Sequence, residues 1–204
     1  MTRTGQSLKD DVDFLRALAD GGAKVTARDG AILVAVGVIF GLVALQYWAI
    51  FAGVLNPPLA WRPWLWLDGL IPYLVVFALI SARFRGRSPG AGSRALSAAW
   101  TGVGAAHVFA VVGLALASRR LGIPLFVIWV FPLILFTLFG AAWCVAYAAR
   151  RRAIYLATAI GSFVAAVACG AVMGQPEEWL VLAAGLFGLV AAPGVQVLLS
   201  NRRG

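Results

Sequence analysis

The sequence predicts an all-α membrane protein, a polytopic bundle of six transmembrane helices preceded by a short amphipathic helix. Of its 204 residues, 62% are hydrophobic and only 12% are charged, which is too little polar surface to cover a water-soluble domain. Residues 121–149 contain no Asp, Glu, Lys, Arg or His, and about 20 apolar residues are enough to cross the hydrocarbon core. The triplet Arg150 to Arg152 follows directly, and such clusters stay on the cytoplasmic side.

The N-terminal segment, residues 1–29, is polar, and we expect it to be cytoplasmic and not a cleaved signal peptide. Within residues 7–20, apolar residues recur at helical spacing, and Gly21 and Gly22 end the pattern. Four aspartates against one lysine and one arginine make this amphipathic helix net acidic, which suits anionic lipid poorly. We therefore expect it to pack on its own bundle or on a partner protein.

The remainder, residues 30–204, forms the predicted transmembrane domain. Long apolar runs separated by short polar connections place its six spans at about 30–55, 64–82, 95–118, 123–149, 153–174 and 179–200. Connections this short predict neighbouring helices that run antiparallel, with both termini on the same side of the membrane.

The distribution of positive charges indicates on which side of the membrane the termini lie. In this topology 14 of the 17 Lys and Arg residues lie on the side of the termini, and only Arg62, Arg119 and Arg120 lie on the other. The positive-inside rule then predicts cytoplasmic termini and a multi-pass protein of the inner membrane. Because topology accounts for the net charge of +9, we expect no nucleic-acid partner.

Small residues at four-residue spacing mark three candidate helix-packing surfaces, since they let helix backbones approach closely. The surfaces are Gly37 and Gly41 in span one, Ala98, Gly102 and Ala106 in span three, and Ala157, Gly161 and Ala165 in span five. Gln46 in span one is expected to make an interhelical hydrogen bond. Prolines fall inside every even span, and Pro193-Gly194 is the expected helix break.

His107, the only histidine, falls near the middle of span three. An ionisable group at this depth should face the bundle interior or a wet cavity. One interpretation is a neutral imidazole that is hydrogen-bonded to a neighbouring helix, and the other is a proton or substrate site. A haem held by two histidines would need a second one, which the chain lacks.

Asp68 lies about one turn inside span two, where a carboxylate is costly unless it is hydrated or paired. Acids and arginines expected at the same level could form one network with it: Arg62, Arg119, Arg120, Glu177 and Glu178. This network is either a structural ring of ion pairs or an outer vestibule that binds a polar or charged ligand.

Motifs of enzymes and metal sites are missing: no Walker loop, GxSxG, HExxH or Asp/His cluster occurs. The two cysteines form no CxxC, and their expected depths are too different for a disulfide. We therefore expect no catalytic residue, no metal and no cofactor, and the pattern does not favour an enzyme.

The function that these features favour is a non-enzymatic integral membrane protein that binds or regulates a membrane partner or is a subunit of an assembly. Its expected partners are membrane lipid, a protein bound through residues 7–20, and further copies in an oligomer. The alternative is a small transporter or channel whose path is lined by the kinked even helices near His107 and Asp68. A water-filled cavity joining these two residues would favour transport, and a dry, fully packed interior with an exposed apolar groove would favour binding.

Overall fold

The computed structural model describes residues 27–58, 61, 65, 67–84, 91–123 and 126–202, without the side chains of 91–97, 126 and 201–202. Within these ranges every regular element is helical, so the expected all-α class is confirmed. The predicted amphipathic helix 7–20 and Arg62 lie outside the described residues.

Seven α-helices and one π-helical segment make up the described chain. They are α1 (Ala27–Phe51), α2 (Leu67–Arg83), α3 (Ala91–Leu121), α4 (Phe126–Arg150), α5 (Ala153–Ala171), α6 (Glu177–Leu186), the π segment (Phe187–Ala191) and α7 (Ala192–Arg202). The last three form one continuous rod, here called the last span. Five helices of the described chain are long and apolar enough to cross a membrane, namely α1, α3, α4, α5 and the last span. The sixth, α2, has 17 residues, about 26 Å of helix, slightly less than the hydrocarbon thickness.

The helices pack side by side in the order α2, α1, last span, α5 with α4, and α3. Neighbours run antiparallel, as Gly30 near Gly194 at one end of α1 and Tyr47 near Trp179 at the other illustrate. We call the end where α1 begins and α7 ends the termini end, and the opposite one the far end. Helices α2 and α3 therefore form opposite edges of the bundle.

The core lies where α4, α5 and the last span meet. Phe136, Trp143 and Val190 are buried almost completely in it. Gly185 leaves room for the ring of Phe136, because a Cβ at residue 185 would lie 2.7 Å from the Cε1 of that ring. Large apolar rings thus fill the interior against small residues, which is how a helical core reaches native density.

The last span widens into the π segment just before Pro193. Proline has no N–H and its ring clashes with the preceding turn of an α-helix. The Ala192 N–H donates to the Phe187 carbonyl five residues earlier, which is the π-helical pattern. The sequence predicted a break at Pro193-Gly194, but the structure keeps the rod continuous and loosens one turn instead.

Candidate functional site

A polar pair joins α1 and α2 at the far end. The Gln46 amide donates a hydrogen bond from Nε2 to Asp68 Oδ2 over 3.0 Å. Asp68 lies in the first turn of α2 and is exposed, whereas Gln46 is half-buried on α1. The pair therefore joins the two helices and leaves a carboxylate at the surface.

A cavity of about 250 Å³ lies beside this pair. It is lined by Gln46, Ile50, Leu55, Asn56 and Pro57, which belong to the last turns of α1 and the segment after it. The Asn56 amide donates from Nδ2 to the carbonyl oxygen of Gly53 over 3.4 Å. The walls are thus mainly apolar, with two side-chain amides as their polar groups.

The adjacent acids at the start of α6 have opposite environments. Glu177 is exposed, while Glu178 is 0% exposed. The Gly174 backbone N–H donates to Glu178 Oε2 over 3.0 Å, and Oε1 has no partner among the described residues. Glu178 therefore holds the turn between α5 and α6, where Gly174 adopts φ +83°. A positive φ of this kind favours glycine.

Two of the three arginines expected near these acids lie at the other edge of the bundle. Arg119 and Arg120 are exposed at the end of α3, whereas Asp68 lies on α2. In the part of the chain that the structure describes, Asp68 is bonded to Gln46 and Glu178 to a backbone N–H. The five predicted network residues that the structure describes are thus spread across the far end.

His107 packs against α4. Its Nδ1 lies 2.8 Å from the Val103 carbonyl oxygen one turn earlier, and since a carbonyl can only accept, Nδ1 carries the proton. The ring lies 5.9 Å from the centroid of Phe131 and 5.7 Å from that of Phe139. Nε2 is buried without a hydrogen-bond partner among the described residues. The environment of His107 is therefore aromatic.

Four aromatic rings gather at the far end of α1, α4 and α6. Tyr47 stacks on Trp179 with centroids 4.6 Å apart, and Phe51 lies 4.7 Å from Trp129. The indole Nε1 of Trp179 is buried without a partner among the described residues. Sequence reasoning missed this cluster. Its available signal was the i, i+4 pair Tyr47 and Phe51 at the end of one span, with a tryptophan near the start of two others.

A second aromatic group lies at the termini end. Trp143 stacks on Tyr155 with centroids 5.8 Å apart, and the guanidinium carbon of Arg150 lies 6.0 Å from the Tyr155 ring. Arg150 is half-buried, while Arg151 and Arg152 are exposed. The guanidinium carbon of Arg151 also lies 5.9 Å from an aromatic ring, that of Tyr147, so two of the three arginines are held on tyrosine faces.

The small residues of α1 lie against the last span. A Cβ at Gly37 would lie 2.7 Å from the Leu186 carbonyl oxygen, and one at Gly41 would lie 2.7 Å from the Phe187 ring. On α5, a Cβ at Gly161 would meet Leu189. In the same predicted group Ala165 is buried and Ala157 is exposed.

The small residues of α3 are in a different position. Ala98 and Gly102 are exposed, Ala106 is half-buried, and a Cβ at Gly102 would meet no atom of the described chain within 4 Å. Helix α3 makes its main contacts with α4 alone, through the side that carries Trp100, Val103 and His107. The described chain thus leaves this small-residue surface unfilled.

The described side chains offer no group of three or more His, Cys, Asp or Glu residues that could hold a metal ion. Cys144 and Cys169 are free thiols. No family model, no curated protein and no solved structure matches this chain. Support for a function therefore comes from the positions of the described residues and from helices that are apolar enough for a membrane protein.

Proposed function

We propose that this chain is a non-enzymatic multi-pass membrane protein that binds a transmembrane partner, and that the partner helix docks on α3. The observation that carries the proposal is a contrast between two sets of glycines. Those of α1 are covered by the last span, whereas Gly102, Gly104 and Gly113 of α3 all face space that no described residue occupies. In lipid, helices associate mainly through close packing at such small residues.

The surface around Gly102 fits a partner helix better than the surface around Gly104. Ala98 and Ala106 stand one turn before and after Gly102, so the three make a shallow groove. Trp100 and Val108 stand one turn before and after Gly104, and these bulkier residues would keep a partner backbone farther away. Phe109, 76% exposed, lies near the Gly102 side by helical geometry and would contribute apolar area at its edge.

Gly102→Leu tests this proposal, and Gly104→Leu is its matched control. The same substitution two residues away in the same helix changes helix propensity and hydrophobicity equally. Affinity capture in mild detergent with native lipids, followed by mass spectrometry, should recover a membrane protein with the wild type and with Gly104→Leu. Recovery should fall about tenfold or more with Gly102→Leu, since a leucine there would hold the helices apart. Equal recovery with both variants would contradict docking at this surface.

The predicted amphipathic helix 7–20 is proposed as a second contact for a partner, on the cytoplasmic side. Its apolar stripe includes Leu15, and an aspartate there would disrupt the stripe without changing any span. Leu15→Asp should reduce partner recovery while membrane insertion stays intact. Unchanged recovery would restrict the partner to the transmembrane surface.

The alternative, a transporter or channel, has less support. Asp68 and His107 lie on the edge helices α2 and α3, with α1, α4 and the last span between them. The cavity at Asp68 is lined by residues of α1 and the segment after it, while His107 packs on Phe131 and Phe139. This separation favours binding over a conducting path.

A further inference from the structure

We propose that the cavity beside Gln46 and Asp68 is a binding site for a primary ammonium group, carried by a lipid headgroup or by a free amine. The site lies at the α2 edge of the bundle, away from the α3 surface of the proposed function. The failure of one proposal would therefore leave the other unaffected.

The orientation of both amides in the cavity is fixed by their partners. An ionised carboxylate and a backbone carbonyl only accept hydrogen bonds, so each amide must turn its nitrogen toward its partner. Gln46 accordingly points Nε2 at Asp68, and Asn56 points Nδ2 at the Gly53 carbonyl. The carbonyl oxygens, Gln46 Oε1 and Asn56 Oδ1, are the ends that these side chains have left for a ligand.

The mainly apolar site thus has two amide oxygens as its acceptors, and a negative charge lies next to it. Asp68 is not a lining residue, but its exposed carboxylate accepts from Gln46, which is one. This combination favours a ligand that donates hydrogen bonds and is positively charged. A primary ammonium has three N–H donors and donates in the same way as the Lys side chain. A quaternary ammonium has none.

Size and lining limit the ligand further. A volume of about 250 Å³ corresponds to roughly eight water molecules and lies below the range of ordinary ligand pockets, about 300–1,000 Å³. Ile50, Leu55 and Pro57 provide apolar walls, which suit a short carbon chain. Calcium, which takes six to eight oxygen ligands, would find too few here. A small aminoalkyl group fits the site better.

Binding can be measured on the full chain in nanodiscs made of phosphatidylcholine, whose headgroup has no N–H. Calorimetry should show saturable binding of butylammonium. Butyltrimethylammonium should bind at least about tenfold more weakly, since it cannot donate the hydrogen bonds that the charged ammonium makes.

In a parallel experiment, the protein is placed in nanodiscs with equal amounts of phosphatidylethanolamine and phosphatidylcholine. Native mass spectrometry then reports which lipid, if any, stays bound to the protein. If the protein retains the ethanolamine lipid, and butylammonium then displaces it, the site binds a lipid headgroup. Butylammonium binding without lipid preference assigns it to a free amine.

Asp68→Asn removes the charge beside the site and keeps the size of the side chain. It should weaken butylammonium binding, or the preference for the ethanolamine lipid, at least about tenfold. Glu177→Gln is the matched control: it removes the same charge from an exposed acid at the same end but on another helix, α6, and should stay within about twofold.

Leu55→Trp is a second, independent variant. It fills the cavity without touching the charge and should abolish binding in a protein that elutes as wild type on size exclusion. The proposal is overturned if the wild type binds neither the amine nor the ethanolamine lipid, if the quaternary amine binds equally well, or if Asp68→Asn and Leu55→Trp both bind like wild type.

Discussion

His107 illustrates how a single polar atom can be tested for function. Its Nε2 has no partner among the described residues, and the ring packs on two phenylalanines. His107→Phe should therefore keep the free energy of unfolding within about 1 kcal/mol, because the Val103 carbonyl still accepts the helical N–H of residue 107. His107→Ala should lose about 1–2 kcal/mol, less than the 3–5 typical of a fully buried aromatic ring.

Unfolding in mixed micelles of mild and denaturing detergent measures both variants. A loss in His107→Phe as large as that in His107→Ala would mean that the imidazole nitrogens, and not the packing, stabilise this position. That result would also restore His107 as a candidate proton or substrate site.

Gly185 tests the fit of the core at one atom. An added methyl would press on the ring of Phe136, which is 0% exposed and has no room to move, so Gly185→Ala should cost about 1–3 kcal/mol. Gly113→Ala is the control on α3, where an added Cβ meets no described atom within 4 Å. It should be neutral or gain up to about 1 kcal/mol from helix propensity. The same detergent titration separates the two, and equal losses would contradict the described packing.

Residue types at the far end were predictable from sequence, but their partners were not. A polar side chain inside an apolar run has to find a partner, which singled out Gln46 and Asp68. Their hydrogen bond depends on how α1 and α2 are rotated about their axes, which hydropathy does not report. The same holds for Glu177 and Glu178, adjacent in sequence but opposite in burial.

Between elements, the closest approach is that of α1 to the π segment. A methyl on Gly37 would meet the backbone at the Leu186 carbonyl, whereas a methyl on Gly41 would meet the end of the Phe187 side chain. A side chain can rotate away more easily than a helix backbone, so Gly37→Ala should destabilise the protein about twice as much as Gly41→Ala. The comparison uses unfolding free energies in mixed micelles. A larger loss at Gly41 would contradict the described crossing.

Apolar run length predicted the helices well, because the hydrocarbon core imposes a minimum length. The π segment was not predicted. Pro193 signals a disturbed turn, but whether the helix breaks, kinks or widens depends on what packs beside it, and here Gly37 of α1 lies directly against the widened turn.

Whether the whole molecule crosses the membrane five or six times depends on α2. Its contacts with α1 run from the Arg28 to Ser81 hydrogen bond at the termini end to the Gln46 to Asp68 bond at the far end. Arg28 and Gln46 are about 27 Å apart along α1 at 1.5 Å per residue, nearly the hydrocarbon thickness. If α1 crosses the membrane, this pairing supports a crossing by α2 as well. We therefore propose six spans, with cytoplasmic termini in an inner membrane.

Charge makes this proposal testable. With six spans, 14 cations lie on the side of the termini and three on the other side. If α2 lay on the membrane surface instead, Arg83, Arg150 and the other downstream arginines of the termini end would lie on the opposite side from the N terminus. The positive-inside bias would then be lost. Reporter fusions should locate the ends after Pro58, Gly122 and Gln175 outside the cytoplasm. They should locate the ends after Arg87 and Arg152 inside it. The Arg87 fusion discriminates most sharply, because it reports the crossing by α2 alone. An external signal there would reduce the bundle to five spans and separate the termini across the membrane.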